Sequence, residues 1–292
     1  MKHIFLYNPL AGKGKAEKFI NEAKKKFGDD LSLHDITKID NFPDFFAAIA
    51  PNDHIIVCGG DGTLNRFLNS AKNISQTLTY CPAGSGNDFM NDLNRTPEDG
   101  AFEINQYIKN LPSVKVGENI YRFVNGVGFG VDGYVCAEGN RLRDKQKKVN
   151  YTGIALKGLL FAFKPVNATV VVDGKEYKYK KVWMTTTMKG RFFGGGMMVT
   201  PDQDRFDPEG KISVLIAHDL GKLKIATLFP SIFKGKHVKY TKYIDIFKCD
   251  SISVKYDRPC FLQMDGESIA QVTEYSATVG SGLRAVPSMH NL

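Results

Sequence analysis

The sequence lacks the cysteine and histidine patterns that build zinc sites or disulfide frameworks. Its five cysteines stand singly, with no Cys-x-x-Cys pair, and its six histidines are equally dispersed over 292 residues. An odd number of irregularly spaced cysteines argues against a disulfide scaffold and is typical of a reducing compartment. A metal cluster built on cysteine or histidine is therefore not expected.

Long apolar runs are also missing. At no point do 18 apolar residues follow one another, so no membrane-spanning helix is predicted. The apolar segment at residues 1–7 is shorter than the apolar region of a signal peptide, and it lacks a small-residue cleavage site. These absences predict a soluble protein of the cytoplasm.

Positive charge is in excess, because 39 Lys and Arg face 31 Asp and Glu, for a formal net charge of +8. A basic balance suggests an acidic partner: nucleotide phosphates, nucleic acid or an anionic membrane surface. No motif combines basic residues with stacking aromatics, which argues against nucleic acid. Two basic runs, residues 141–148 and 234–239, either contact an anionic leaflet or are solvated charged faces.

The pattern of strands and helices changes along the chain and predicts two domains. Up to about residue 112, strand and helix patterns alternate as they do in a Rossmann-like parallel sheet. Residues 113–280 read as short β-rich segments of a mostly antiparallel β-sandwich, with a hairpin signal at Asp173-Gly174. We therefore predict an α/β fold with a second, β-rich domain, and a tail at residues 281–292 that returns to the first domain.

Three glycine-containing loops follow predicted strands of the first domain, at residues 8–14, 59–63 and 82–88. Ligands of open α/β sheets bind beyond the carboxyl ends of the strands. Glycine lets backbone N–H groups approach phosphate oxygens, and the following helix N-terminus favours negative charge. A single loop of this kind is often structural only, but three on one edge, beside Asp61 and Asp88, predict a phosphate site. None of them matches a P-loop or the dinucleotide Gly-x-Gly-x-x-Gly pattern.

Two carboxylates near the end of the chain, Asp265 and Glu267, form a second candidate site. Two residues apart on an extended segment, they point to the same side. One carboxylate can then hold the other, or a metal, while the other accepts the proton of an incoming hydroxyl. The alternative is an ordinary Met-Asp-Gly-Glu β-turn.

Together these motifs resemble the diacylglycerol kinase catalytic-domain family, which includes soluble bacterial lipid kinases and sphingosine kinases. The resemblance covers essentially the whole chain, and the motifs stand in the family's order. The matching segments are Asn8-Pro9-x-x-Gly12, Gly59-Gly60-Asp61-Gly62-Thr63, Pro82-x-Gly84-Ser85-x-Asn87-Asp88 and Gln263-Met264-Asp265-Gly266-Glu267. Gly-Gly-Asp-Gly-Thr alone also occurs in NAD kinases and phosphofructokinases, with which the first domain would share its fold, but the combination is specific.

The resemblance implies an ATP-dependent lipid kinase that uses Mg²⁺, with diacylglycerol as the favoured acceptor and phosphatidic acid as the product. It implies Glu267 as the catalytic base, with Asp265 and Asp61 as further catalytic residues. Asp61 would engage Mg²⁺ through water, and Asp88 would share that network. The implied nucleotide-binding residues are Asn8, Pro9, Gly12, Thr37, Gly59, Gly60, Asp61, Gly62, Thr63, Asn65, Gly84 and Ser85.

Two departures from the family pattern concern magnesium. Lys115 stands where many members carry an aspartate of the magnesium network. Residues 201–210 are longer than the usual loop around a structural magnesium ion, and Asp207 and Glu209 align with it only loosely. The apolar residues 152–163 belong either to an acyl-chain pocket or to the core.

Other functions and assemblies stay open at the level of the sequence. One alternative is a small-molecule kinase of the NAD kinase type, and another is a nucleotide-binding regulator that has lost catalysis. The expected partners are a lipid alcohol and an anionic membrane surface contacted peripherally, without nucleic acid. A homodimer is also compatible with the sequence.

Overall fold

The computed structural model describes residues 1–9, 11, 15–71, 74–84, 86–145, 147 and 149–280. Contacts divide the chain into two compact units. The first comprises Met1–Lys109 with Phe192–Met197, and the second comprises Asn110–Arg191 with the chain from Met198 onward. The predicted nucleotide-binding residues Gly12 and Ser85, and the tail at residues 281–292, lie outside the described residues.

The first unit is built on a sheet whose strand order, in the described part of the chain, is β2-β1-β3-β4-β5. Strands β1 to β4 are parallel, as predicted, while the short β5 pairs antiparallel with β4 and makes the sheet mixed. The strands are β1 (His3–Tyr7), β2 (Leu31–Asp35), β3 (His54–Gly59), β4 (Thr77–Pro82) and β5 (Phe102–Glu103). The helices are α1 (Lys15–Phe27), α2 (Phe42–Ala47), α3 (Asp61–Ser70), α4 (Asp88–Asp92) and α5 (Asn105–Ile108).

Helix α1 packs on this sheet through small residues. Its buried positions Ala16 and Ala23 contact a cluster that includes Phe5 of β1 and Ile56 of β3. Small side chains let the helix approach the strands closely, so the larger strand residues fill the layer between them. The strand order reverses between β1 and β3, which is the position where open α/β sheets bind their ligands.

The second unit contains a large antiparallel sheet, which confirms the prediction of a mostly antiparallel β-rich domain. Within the described residues its main path is β15-β14-β11-β8-β16-β17-β6-β7, and β9 pairs with both β10 and β16. The strands are β6 (Ser113–Val116), β7 (Asn119–Arg122), β8 (Gly126–Gly130), β9 (Val166–Val172), β10 (Lys175–Val182), β11 (Met184–Met188), β14 (Ile212–Ala217), β15 (Ile244–Cys249), β16 (Ser251–Met264) and β17 (Glu267–Thr278). Along the chain between β11 and β14, β12 (Phe192–Phe193) and β13 (Met197–Met198) form a separate two-stranded sheet, and residues 192–197 belong to the first unit.

Strand β16 organises this sheet because its pairing partner changes along its length. Residues 252–256 pair with β9, and residues 262–264 pair with β8, on either side of a register shift. Next to this register shift, the ring of Tyr256 stacks on that of Phe129 with 3.9 Å between the ring centroids. The Tyr256 hydroxyl donates to the Phe129 carbonyl at 2.8 Å, so ring packing and a buried hydrogen bond both hold β16 against β8 at this point.

The predicted hairpin is confirmed, since Asp173 and Gly174 connect β9 to β10 with φ angles of +47° and +82°. Consecutive positive φ values are the geometry that an Asp-Gly hairpin turn adopts. The helices of the second unit are α6 (Val131–Asp144), α7 (Tyr151–Lys157), a π-helical turn (Gly158–Ala162) that continues α7, and α8 (Lys222–Leu228). No helix in the described ranges is both long enough and apolar enough to cross a membrane.

Candidate active site

The described residues of the three predicted loops, 8–9 with 11, 59–63, and 82–84 with 86–88, follow strands at the carboxyl edge of the first unit's sheet, and hydrogen bonds connect them. Asn8, after β1, donates its backbone N–H to the Cys58 carbonyl at 3.1 Å and its side-chain amide to the Thr63 hydroxyl at 3.2 Å. The Gly59 carbonyl, at the end of β3, accepts from the Ala83 N–H at 2.9 Å and from the buried Tyr80 hydroxyl at 3.0 Å. The predicted loops therefore form one connected surface.

Glycine is required where the second and third loops touch. A Cβ atom added to Gly84 would lie 2.6 Å from the Cα of Gly60, and one added to Gly60 would lie 3.1 Å from the Cα of Gly84. A Cβ atom at Gly59 would meet the side chain of Thr63 at 2.5 Å. These glycines therefore serve the packing of the loops as well as any approach to phosphate.

Asp61, at the start of α3, holds the start of α4. Its two carboxylate oxygens accept the backbone N–H groups of Asp88 at 3.0 Å and Phe89 at 2.9 Å. A carboxylate at the N-terminus of a helix satisfies N–H groups that lack partners within the helix. The aspartate of the Gly-Gly-Asp-Gly-Thr motif therefore fixes the third loop relative to the second.

Asp88 in turn holds a segment that is distant in sequence. Its carboxylate accepts the N–H groups of Gly195 at 2.8 Å and Gly196 at 2.7 Å. Both glycines have positive φ angles, +84° and +103°, in the turn between β12 and β13. The run of three glycines at residues 194–196 is the only sequence signal for this turn, and it does not identify Asp88 as the partner.

The acidic groups of the first unit fit a magnesium ion held through water. Asp61 and Asp88 each accept two backbone N–H groups, which fixes the orientation of both carboxylates. The buried side-chain oxygen of Asn87 has no hydrogen-bond partner among the described residues, and it lies 2.9 Å from where a Cβ atom of Gly84 would stand. In the part of the chain that the structure describes, no group of three or more His, Cys, Asp or Glu could hold a metal directly. This donor set suits Mg²⁺, which keeps several waters and binds protein carboxylates together with substrate phosphates.

The remaining predicted nucleotide residues lie on the same unit. Thr37, after β2, donates its N–H and hydroxyl to the Asp35 carboxylate at 2.9 and 2.7 Å. A cavity of about 440 Å³ adjoins this segment, with Asp35, Lys38 and Phe45 among its lining residues. Asn65 is buried on α3, Gly62 is half-buried in its first turn, and Pro9 is exposed.

Asp265 lies in the second unit, where it is buried and accepts three backbone N–H groups. The donors are Val124 at 2.5 Å, Asn125 at 2.9 Å and Gly126 at 2.9 Å. The expectation of an extended segment is wrong, because Asp265 and Gly266 have φ angles of +46° and +95° and form the turn between β16 and β17. Asp265 consequently anchors the backbone of residues 124–126 and does not share one strand face with Glu267.

The backbone segment that Asp265 holds is also contacted by Arg205. This buried guanidinium donates to the Val124 carbonyl at 2.7 Å and to the Asn125 side-chain oxygen at 3.0 Å. The segment at residues 124–126 is therefore held by an anion on its N–H groups and by a cation on its carbonyl side. Sequence patterns did not single out Arg205, since a lone arginine in a polar loop carries no motif.

Helix α6 holds the turn that precedes Glu267. Cys136 donates its S–H to the Gly266 carbonyl at 3.1 Å, and the Asn140 amide reaches the same carbonyl at 3.4 Å. Burial raises the pKa of the Cys136 thiol to about 12, and the negative charge of Glu267 contributes to the increase. Cys136 is therefore a neutral hydrogen-bond donor to the turn that precedes Glu267.

A buried carboxyl, Asp132, lies one turn earlier on α6. It accepts the Gly133 N–H at 2.9 Å and the Thr186 hydroxyl at 3.3 Å. The absence of a side chain at Gly128 makes room for it, because a Cβ atom there would lie 1.6 Å from Asp132 and 2.8 Å from the Gln263 amide. Burial raises the pKa of the Asp132 carboxyl to about 7, against the opposite effect of these hydrogen bonds.

The candidate residues for a structural magnesium loop are paired with lysines. Asp207 forms an ion pair with Lys248, which lowers the pKa of the Asp207 carboxyl, and Glu209 pairs with Lys211 at 2.6 Å. Each of these two carboxylates is therefore paired with a lysine at the place where the sequence suggested a structural magnesium ion. Lys115 lies on β6, where it pairs with residues of β7 and β17.

Gly84→Ala tests the packing of the loops. We expect it to lower the free energy of unfolding by about 2 kcal/mol, because the new Cβ atom must displace the backbone at Gly60. Urea unfolding measures the change. The matched control is Gly221→Ala, at the N-cap of α8, where φ is −77° and no atom lies within 4 Å of the added Cβ. Equal losses in the two variants would contradict the assignment.

Asp132→Asn tests the buried carboxyl. The folded protein keeps the proton of Asp132 up to about pH 7, whereas an unfolded chain releases it near pH 4, so wild-type stability falls as the pH rises through this window. Because the pKa of Asp132 rises from its ordinary value near 4 to about 7, the free energy of unfolding of the wild type should fall by on the order of 4 kcal/mol across this range. Urea unfolding at several pH values measures the free energy of unfolding of both proteins. From pH 4 to 7, that of the variant should rise relative to that of the wild type. A difference that stays constant with pH would refute the shift.

Comparison with known proteins agrees with this architecture. The model of the diacylglycerol kinase catalytic domain matches residues 2–117, and that of the YegS C-terminal NAD kinase beta sandwich-like domain matches residues 125–289. The chain is 25% identical to a diacylglycerol kinase of Mycobacterium tuberculosis (strain CDC 1551 / Oshkosh) over 300 residues, covering 97% of this chain and 92% of that protein. It is 25% identical to a diacylglycerol kinase of Bacillus subtilis (strain 168) over 275 residues, covering 90% and 88%.

Solved structures show the same fold. A crystal structure described as a diacylglycerol kinase from Bacillus anthracis str. Sterne superposes with a TM-score of 0.63 at 19% identity, covering 96% of this chain and 94% of that one. At this level of identity, the superposition is evidence for the fold only. The two domain models cover both units of the chain, and one of them alone matches more than half of it. The chain belongs to the diacylglycerol kinase family of lipid kinases.

Proposed function

We propose that this protein is an ATP-dependent lipid kinase that transfers the γ-phosphate of ATP to a lipid hydroxyl, with diacylglycerol as the acceptor. The observation that carries the proposal is the set of hydrogen bonds and close contacts that joins Asn8, residues 59–63 and residues 82–84 at the carboxyl edge of the first sheet. It lies where the strand order reverses between β1 and β3. Membership of the lipid kinase family supports the choice of a lipid alcohol over other acceptors.

The loops supply the groups that hold a nucleotide. Backbone N–H groups at glycines and at the first turn of α3 suit phosphate oxygens without requiring positive side chains. The close approach of Gly60 to Gly84 keeps the second and third loops in contact, and Asn8 joins the first loop to Thr63. The cavity beside Asp35 lies after β2 and offers space for a further part of the nucleotide.

Asp61 and Asp88 would hold Mg²⁺ through water, and the ion would neutralise charge on the transferred phosphoryl group. Their backbone hydrogen bonds fix both carboxylates in place. The unpartnered side-chain oxygen of Asn87 is a further acceptor for a metal-bound water or a nucleotide donor. Because these acceptors are already fixed in place, little reorganisation of the protein is needed as charge develops during phosphoryl transfer.

Glu267 is the proposed base that accepts the proton of the lipid hydroxyl. It is exposed at the first position of β17, directly after the turn whose Asp265 is fixed by three backbone N–H groups. In this arrangement Asp265 acts as a positioning residue, because its oxygens contact backbone and set the conformation from which Glu267 projects. A positioned base typically contributes 10²–10⁴-fold to the rate.

Glu267→Gln tests the assignment of the base. With diacylglycerol in mixed micelles, we expect ATP consumption to fall by on the order of 100-fold or more, because the amide cannot accept the hydroxyl proton. The matched control is Glu274→Gln on the same strand, whose carboxylate pairs with Lys255 at 3.6 Å and which should retain wild-type turnover.

The outcomes separate the alternatives. Undiminished turnover in Glu267→Gln would remove Glu267 as the base. ATP-dependent phosphorylation of NAD without turnover of any lipid alcohol would support the small-molecule kinase. Nucleotide binding by calorimetry without turnover of either class would support a regulator that has lost catalysis.

A further inference from the structure

Two large apolar side chains of the second unit are almost fully exposed on neighbouring elements. Phe161, in the π-helical turn after α7, is 76% exposed, and Leu223, in α8, is 81% exposed. The π-helical turn and α8 pack against each other. Single exposed apolar residues are common on protein surfaces, but two that lie on contacting elements are candidates for one apolar surface. We call these two residues the Phe161–Leu223 patch.

Phe161 and Leu223 are exposed although their elements bury other apolar side chains. The π-helical turn already buries Leu159, and Phe163 directly after it is also buried. Helix α8 likewise buries Ile225 and Leu228. Of the apolar residues 152–163, Leu159 and Phe163 therefore lie in the core and Phe161 does not, while the acyl-chain pocket stays a prediction. Leu156 of α7 and Phe233 after α8 are also more than one-third exposed, which widens the apolar surface.

The segments that carry these side chains contain many exposed lysines and no carboxylates. Residues 145–172 and 220–244 contain no Asp or Glu. Their exposed lysines, among the described residues, are Lys145, Lys147, Lys157, Lys164, Lys222, Lys224, Lys234, Lys236, Lys239 and Lys242. On the neighbouring helix α6, the carboxylate of Glu138 is paired with Arg141 at 2.8 Å. The surface therefore combines apolar side chains with charge of one sign.

We propose that the Phe161–Leu223 patch docks this protein on an anionic lipid bilayer. The two apolar side chains enter the boundary between headgroups and acyl chains, while the flanking lysines contact anionic headgroups. Lysine is suited to this position because its methylene stem follows apolar surface while its ammonium group stays at the headgroups. The inference rests on the proposed function in one respect, since a bilayer is where a lipid kinase meets its substrate.

The same charge pattern disfavours the other occupants of such a patch. In a two-fold dimer, each copy presents the same surface to the other, so lysines without carboxylates would face lysines. Nucleic acid is bound chiefly through its phosphates, which leaves Phe161 and Leu223 without a role. An anionic bilayer satisfies both the apolar and the charged components.

Vesicle cosedimentation of the full chain without ATP tests the proposal. Wild type should bind vesicles of phosphatidylcholine with about one-third phosphatidylglycerol at least tenfold more tightly than vesicles of phosphatidylcholine alone. The double variant Phe161→Ser/Leu223→Ser should weaken binding to the anionic vesicles on the order of 100-fold. Its matched control is Ile120→Ser on β7, 58% exposed but outside the patch, which should bind as wild type does.

A charge variant keeps the test independent of the apolar substitutions. Lys222→Gln/Lys224→Gln should weaken binding to anionic vesicles about tenfold or more, whereas Lys178→Gln/Lys180→Gln on β10 should not. Thermal melting of each variant confirms that it is folded. Equal binding by patch variants and controls would overturn the proposal. So would dimerisation of the wild type in analytical ultracentrifugation that the serine variant abolishes.

Turnover distinguishes failure of docking from failure of the kinase assignment. The serine variant should phosphorylate a dispersed short-chain diacylglycerol at the wild-type rate and a vesicle-embedded one at least tenfold more slowly. Turnover of the dispersed substrate with no patch-dependent vesicle binding would overturn the docking surface and leave the kinase standing. Patch-dependent binding without turnover of any lipid would support docking and refute the kinase.

Discussion

Capture of backbone N–H groups by aspartate carboxylates is the interaction on which the candidate residues of each unit depend. Asp61 holds the start of α4, Asp88 holds the glycine turn at residues 195–196, and Asp265 holds residues 124–126. Loops with many glycines lose much conformational entropy on ordering. Hydrogen bonds to a charged acceptor are stronger than those between neutral groups, and they offset this loss where the loops must be rigid.

The same carboxylates therefore have two roles that a sequence motif does not separate. Asp61 and Asp88 are the proposed acceptors for water on magnesium, and each also organises a loop. Because an aspartate has two oxygens with two acceptor positions each, structural bonds and ligand contacts can share one side chain. Substitutions at these positions will affect folding and activity together, so Glu267, which is exposed, is the cleaner probe of chemistry.

Positive charge is distributed differently from what a phosphate-binding protein would suggest. Phosphate recognition by backbone N–H groups requires no lysine, and the carboxylates of the first unit's loops add negative charge there. In the second unit, lysines accumulate in segments without carboxylates and flank Phe161 and Leu223. The net charge of +8 is therefore best understood through the surface proposed to contact a bilayer, while the loops are left to glycine and aspartate.

Local pattern was sufficient to predict the parallel strands β1 to β4 and the hairpin at Asp173-Gly174, because apolar runs, glycine loops and turn residues are signals within a few residues. The same pattern did not predict β5, the strands β6 to β8 or helix α6, because β5 to β8 have only two to five residues each and α6 contains two glycines, which are poor helix formers. It also placed Asp265 on an extended strand, although an Asp-Gly pair between strands is equally typical of a turn.

The family motifs, the order of the two domains and the excess of positive charge can all be read from the amino-acid sequence. Tertiary structure decided what the motif residues contact, since Asp88 and Gly195 are 107 positions apart and Asp265 and Val124 are 141 apart. It also decided that Phe161 and Leu223 lie on contacting elements and face solvent. The physical reason is that periodicity records only which side of a helix or strand is apolar, whereas partners in a fold are chosen by packing and by hydrogen bonds between distant segments.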